Sequence, residues 1–408
     1  MTTPPQSLIG FISRNAPWLA AGGLLTFLSS FGQTFFISIF AGEIRSEFNL
    51  THGEWGGIYS LGTTASAIVM IWAGSLTDVF RVRVVGPVVL LGLAIASMAM
   101  ALNTLVWLLP VVIFMLRLFG QGMSSHIAVV SMARWFVATR GRALSIASLG
   151  MALGEAVLPI AFVVLLGLID WRLLWVAAAL AALLGIPVLL RLLRHERTPQ
   201  SMAENLDSTG MDGRHWTRGQ TLRHPLFWFM VPALLGPAAF YTAFFFNQVY
   251  YAEIKGWAHV ELVALFPPFT VLAIMSMIGS GWALDRFGTH RLMPYYQLPM
   301  VVAFLVFAAA TTPMGAFVGF VFLALTSGGN NTLPNAFWAE FYGTAHIGAI
   351  KAMVAAVMVL GSAIGPGITG LLIDLGVGLE RQYVWVAGYF VFTSVMMFIG
   401  ITRARARL

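Results

Sequence analysis

Apolar residues run along this chain without the alternation of a strand, in stretches broken by short clusters of glycine, proline and charge. Runs of about 20 such residues are long enough to cross a bilayer. Twelve spans are predicted, at 18–41, 54–76, 86–107, 110–133, 143–167, 173–193, 225–251, 260–283, 293–312, 315–338, 349–373 and 383–402. In hydrocarbon every backbone amide must find a partner within its own segment, so these spans must be helices. The missing period of two argues against an outer-membrane barrel. The long polar stretch at 194–224, RHERTPQSMAENLDSTGMDGRHWTRGQTLRH, falls at mid-chain and reads as a loop. It would join one six-helix bundle in residues 1–193 to a second in 225–408. The predicted class is an all-α membrane protein.

Composition agrees. Of 408 residues 59% are hydrophobic and 10% charged, with mean hydropathy +0.84, whereas soluble chains carry about 25% charged residues. The net charge of +7 raises the question of nucleic acid, and the placement of the charges answers it. With a cytoplasmic N-terminus, eighteen of the 23 Lys and Arg fall on inner segments and four (Arg45, Arg172, Lys255, Arg381) on outer ones; the last, Arg117, lies inside a span. That bias sets topology. The expected setting is therefore the inner (plasma) membrane of a prokaryote, multi-pass, with both termini cytoplasmic, a lipid partner and no nucleic acid. The absence of cysteine excludes thiol redox chemistry, disulfides and thiolate metal sites. The opening MTTPPQSLIGFISRNAP lacks a signal-peptide layout and reads as retained.

The two halves repeat. At an offset of 207 residues His52 matches His259, Glu54 matches Glu261 and Asp78 matches Asp285, while GEAVLP at 154–159 meets GSAIGP at 361–366. At an offset of 208, Gln33-Thr34 falls on Tyr241-Thr242. An even number of spans per half gives both copies one orientation, which makes them parallel repeats with substrate expected between them near the midplane.

GSLTDVFRVR at 74–83 and GWALDRFGTHR at 281–291 resemble the cytoplasmic loop signature of the major facilitator superfamily, Gly-x-x-x-Asp-Arg-x-Gly-x-Arg/Lys. The second copy carries Gly281, Asp285, Arg286, Gly288 and Arg291; the first keeps Gly74, Asp78 and Arg83, with Val79 and Arg81 where the family has Arg and Gly. The resemblance spans the chain. It implies the major facilitator fold of twelve helices, alternating access, and a gating role for these residues as a latch of the inward-closed conformation. RWFVATRGRALSIASLGMALGEAVLP at 134–159 and TSGGNNTLPNAFWAEFYG at 326–343 are also similar to the monocarboxylate-porter branch. That branch's lysine in the first span and Asp–Arg pair in the eighth have no counterpart here. The drug-antiporter signature is absent as well, since its Gly-Pro step is Glu155 in a Gly-Glu-Ala setting.

Two ionisable residues sit mid-membrane. Arg117 lies seven residues past Pro110, roughly 10 Å below the outer end of the fourth span, and Glu155 lies twelve residues into the fifth. A central arginine costs on the order of 3 kcal/mol to insert, so it is expected to face a cavity and find a partner. One reading makes Arg117 the anchor of an anionic substrate group, since its planar fork fits a carboxylate. The other makes Arg117 and Glu155 a structural ion pair. The repeat places Ala324 and Ser362 at the matching positions, and a tie holding the fold together would recur in both halves. Glu155 is also a proton-coupling candidate: low dielectric raises a carboxyl's pKa, a neighbouring guanidinium lowers it, and substrate binding would shift the balance. His126, nine residues beyond Arg117, falls on the opposite helix face and reads as a packing histidine. Gln33, Tyr241, Asn247 and Asn331 are polar groups within spans, candidates for substrate contact or ordinary helix glue. Asn330 and Asn335 flank the last of them. Nothing resembles a Walker loop, a metal cluster or a nucleophile triad, so no cofactor, metal or enzymatic activity is expected.

The function expected is a monomeric secondary transporter of a small organic anion, with protons as a candidate co-substrate. An exporter of drug-like or cationic compounds, and a transport-incompetent receptor or assembly subunit on the same fold, are the alternatives.

Overall fold

The computed structural model describes residues 8–74, 76–136, 139–195, 209–343 and 345–406, and among them every regular element is a helix. Among the described residues ten helices are long and apolar enough to cross a membrane, and the pair Gly10–Gly32 and Thr34–Phe48, bent by 46°, makes eleven when counted as one span. The twelfth expected span is the shorter apolar helix Leu298–Ala309.

Several of the predicted spans are not simple rods, the first and the ninth among them. The first was expected unbroken over 18–41. Its α-helix stops at Ser29, a 3₁₀ turn follows over Ser30–Gly32, and Gln33 is extended (φ −84°, ψ 154°). The ninth was expected over 293–312, and its first five residues are turns. Pro299 stands in the first turn of the helix that follows, where proline is tolerated, and the turn before it is also tied to a neighbouring helix. Pro237, inside Pro225–Phe246, has no N–H to give the carbonyl four residues back. That carbonyl, of Ala233, accepts instead from Gln297 Nε2 at 2.6 Å. Gln297 also donates to the Tyr296 hydroxyl at 2.7 Å and accepts from Thr393 Oγ1 at 2.8 Å. The turn is therefore tied to the seventh and twelfth spans by one fully buried amide.

The polar stretch read as a loop is partly structured. Residues 196–208 lie outside the described residues, but Met211–Gly213 forms a 3₁₀ turn and Arg218–Arg223 a helix closed by a Thr217/Gln220 capping box. Trp216 explains the order: its N–H donates to Tyr342 O at 2.9 Å, and its ring is buried with Met211, Phe341 and Tyr342.

The chain folds as two compact units, Met1–Phe40 with Leu61–Asn205, and Ala41–Ser60 with Leu206–Leu408. In the first, the sixth span packs on the third and the fifth on the first. In the second, the seventh packs on the eleventh, the eighth on the tenth, and the ninth on the twelfth. The segment Ala41–Ser60 is seated within the second unit: Asp374 accepts the N–H of His52 at 3.1 Å and of Gly53 at 2.7 Å, and Trp55 stacks on Phe246.

Each unit uses glycine to bring its first and fifth helices into backbone contact. A Cβ at Gly150 would overlap Gly23 O, and in the second unit a Cβ at Gly365 would overlap Ala239 O. Small residues are what membrane helices need for such approach. Gly150→Leu and Gly365→Leu are each expected to destabilise by about 1–3 kcal/mol or more, because the obstructing atoms are backbone. Thermal unfolding in detergent checks this.

Candidate functional site

The break in the first span is built against the fourth. There the helix changes winding: Leu109–Leu116 is α, and Arg117–Ser124 is π-helical, a geometry that recurs at functional sites. Gly120 allows the approach, since a Cβ there would lie 2.6 Å from Gly32 Cα and 2.8 Å from Gly32 N. Where a helix breaks, carbonyls lose their intrahelical donors. Arg117 supplies one: Nη1 donates to Gly32 O at 3.2 Å and to Thr34 Oγ1 at 3.3 Å. One turn on from Gly120, Ser124 Oγ donates to Leu25 O at 2.8 Å.

Arg117 was expected to face a cavity. It is 1% exposed, because the unwound turn brings acceptors to the guanidinium that an intact helix would have kept inside its own ladder. The fifth span reaches the same turn, since a Cβ at Gly154 would overlap Ser30 Oγ. Glu155, the next residue, is half-buried. Gln33 is buried at the break, its Nε2 4.0 Å from Met151 Sδ, one helical turn before Glu155. Gln33, Arg117 and Glu155 thus belong to one arrangement in the first unit, where a broken turn meets a π-wound segment and a glycine-lined helix.

Tyr241, Asn247 and Asn331 belong to the second unit. Tyr241 is half-buried, its ring 4.6 Å from Phe245 and 6.3 Å from Phe269. Asn247 is buried where Pro225–Phe246 ends, with Nδ2 donating to Ala243 O at 2.8 Å. Asn331 is exposed, with Nδ2 donating to Ser327 O at 3.2 Å.

Of the loop residues, Gly74 is tied to the fourth span: His126 Nε2 donates to Gly74 O at 3.2 Å. Arg134 Nη1 donates to Thr77 O at 2.6 Å. The packing histidine of the sequence therefore packs against the signature itself. The side chain of Asp78 lies outside the described ones; Arg81 and Arg83 are exposed. In the second copy Asp285, Arg286 and Arg291 are exposed and Gly281 is half-buried. Arg286 lies over the Trp282 ring at 5.7 Å. Gly288 has φ +75° and ψ 165°, a conformation open essentially to glycine alone, which explains why the signature needs that residue at the turn. Among the described residues no group of His, Asp and Glu could hold a metal ion.

The acceptors Gly32 O and Thr34 Oγ1 of Arg117, and the Gly32–Gly120 contact beside them, were not identified from sequence. The Ser-Ser-Phe-Gly run at 29–32 was the available signal, a cluster of weak helix formers inside an apolar run.

A profile described as Major Facilitator Superfamily matches residues 22–308. No curated protein sequence matches the chain. Among solved structures, a bacterial homologue of the human lysosomal transporter Spinster, inward-facing and occupied, superposes with TM-score 0.70 at 16% identity, covering 96% of each chain. Its inward-facing unoccupied form gives TM-score 0.66 at 16% identity over 96% of this chain and 97% of that one. A point mutant of the nucleoside transporter NupG gives TM-score 0.73 at 14% identity over 94% of this chain and 99% of that one.

Proposed function

The chain belongs to the major facilitator superfamily, a multi-pass membrane protein of the transporter fold, and from that premise we propose that it is a secondary active transporter of a small organic anion, coupled to protons. The observation that carries this reading is a buried guanidinium at an interrupted span that donates to a carbonyl and a hydroxyl. Both are neutral acceptors. A carboxylate accepts from arginine roughly twice as strongly and can engage two N–H groups in parallel. An anionic substrate that reaches the break therefore displaces Gly32 O and Thr34 Oγ1, and the first span is freed to move against the fourth. Differential binding of this kind is what lets a ligand shift a conformational equilibrium.

Glu155 supplies the proton. Its carboxyl follows the glycine that packs against the same turn, so engagement of Arg117 by substrate changes the field it feels. On this reading substrate and proton load together. Gln33 is the further candidate contact in the first unit, and Tyr241, Asn247 and Asn331 are the candidates within the second. The two cytoplasmic loop copies act as the latch, in the inner membrane with both termini cytoplasmic.

The test is flux into proteoliposomes under an imposed pH gradient, with a panel of small carboxylates, a nucleoside and an organic cation. Carboxylate accumulation above empty vesicles is expected, and Glu155→Gln abolishes the pH-driven part while leaving exchange of substrate across the membrane. Unchanged pH-driven accumulation in that variant removes the proton role. Flux of the cation alone favours the exporter reading; flux of none favours the receptor reading.

A further inference from the structure

Two prolines, Pro232 and Pro237, fall inside the seventh span, Pro225–Phe246. An interior proline removes a ladder bond and crowds the preceding turn, which makes it the usual site of a kink. The span nevertheless stays helical through both. Side chains from two other spans of the same unit take its carbonyls there. Gln297 Nε2 reaches Ala233 O at 2.6 Å, the carbonyl that Pro237 leaves without a donor. The Tyr389 hydroxyl donates to Pro232 O at 2.8 Å, and Gly236 leaves room for its ring, since a Cβ there would stand 2.7 Å from Tyr389 Cε1.

The ninth span is fastened to the seventh at its other end too. Phe307 and Ala308 lie in the last turn of Leu298–Ala309, where carbonyls have no partner within the helix. Phe307 O accepts from the Tyr251 hydroxyl at 2.7 Å, and Ala308 O from Lys255 Nζ at 2.9 Å. Tyr251 belongs to Gln248–Ile254 and Lys255 follows it, directly after the end of the seventh span at Asn247. Beside this tie Phe244 stacks on Phe307 with ring centroids 4.4 Å apart.

The internal repeat supplies a contrast. At the offset of 207 residues Pro237 falls on Ser30, where the first span breaks. Gln297 falls on Leu90 and Tyr389 on Ala182, side chains with nothing to donate. The same place in the repeat is therefore an open break in one unit and an unbroken helix in the other. An orphaned buried carbonyl is costly, so bending the seventh span at Pro237 means giving up the Gln297 bond.

We propose that Gln297 is a positioning residue that locks the proline hinge of the seventh span, turning that span and the ninth into one rigid strut. For its part in flux the proposal rests on the transporter reading, to which it adds a division of labour. The first span bends at its break, while the seventh keeps its shape and holds Tyr241, one turn beyond Pro237, in a fixed place.

Hydrogen exchange read by mass spectrometry on the purified full chain tests the lock without any substrate. Gln297→Leu is expected to speed exchange of the amides at 234–241 about tenfold or more, with those at 8–29 in the first unit unchanged. Pro237→Ala returns an N–H to Ala233 O, so adding it to Gln297→Leu restores wild-type exchange. A leucine that merely packs badly does so in both backgrounds, and no rescue follows. Should Gln297→Leu alone yield no folded protein, recovery of folded protein on adding Pro237→Ala is the same rescue. Unchanged exchange in Gln297→Leu, or a defect that Pro237→Ala leaves in place, overturns the lock. In proteoliposomes Pro237→Ala alone is expected to keep wild-type propionate flux, because a strut does not use its hinge; loss of flux at normal folded yield overturns the strut. Propionate flux absent from wild type counts against the anion reading instead, and the exchange rescue still decides the lock.

Discussion

Replacing Arg117 by lysine is expected to lower carboxylate flux in proteoliposomes at least tenfold, and more than Glu155→Gln lowers exchange. Lysine keeps the charge and loses the fork. Nη1 of the arginine spans a carbonyl and a hydroxyl at 3.2 and 3.3 Å, and the guanidinium presents N–H groups in a plane that a carboxylate can match. An ammonium is a point donor on a flexible stem and is more strongly hydrated, so it is worse suited to a site that is 1% exposed. Hydrogen bonds to charged partners contribute about 1.5–3 kcal/mol, or roughly ten- to 150-fold in an equilibrium. Flux is normalised to the folded fraction eluting in a single size-exclusion peak. That matters because the arginine also holds the turn: loss of folded protein and loss of transport must be read separately. If Glu155→Gln is the more damaging change and Arg117→Lys is tolerated, cargo is held by the carboxylate and the cationic-exporter reading gains.

The second large effect concerns Gly120. A valine there has no room, since the nearest atoms to its Cβ are backbone atoms of Gly32 at 2.6 and 2.8 Å. Side chains can rotate out of the way; a backbone pinned by Arg117 cannot without opening the break. Overpacking of this kind costs about 1–3 kcal/mol and more where backbone must move. Gly120→Val is therefore expected to abolish or strongly reduce recovery of folded protein, with Gly120→Ala intermediate. Gly23 is the control, a glycine of the first span with open space around its would-be Cβ. Gly23→Ala is expected to leave the melting temperature unchanged or slightly raised, because alanine is the better helix former. A Gly120→Val protein that melts like wild type would mean that the first and fourth spans do not touch at this point.

These two residues divide the molecule into what was readable and what was not. Arg117 stands out in the sequence because a fixed charge inside an apolar run has few explanations, and the internal repeat showed that it has no symmetry mate. Its partners were hidden. Gly32 is one of 41 glycines, and nothing in the linear order says that it meets Gly120 rather than lipid. The ninth span carries the same lesson. Pro299 at the start of its helix was legible, but that Gln297 would take Ala233 O, left without a donor by Pro237 sixty residues earlier, was not. Asn331 was legible as a polar group in a span, but its exposure depends on what the neighbouring helices leave uncovered.

By itself the sequence determined the class of protein and most of its helical spans, because a bilayer imposes those through composition: each helix must be apolar over a set length; sidedness and duplication it set as expectations. Tertiary structure decided how the helix breaks are satisfied. A break leaves carbonyls without their intrahelical donors, and which side chains from other segments reach them is a property of packing rather than of the run of residues in which the break occurs.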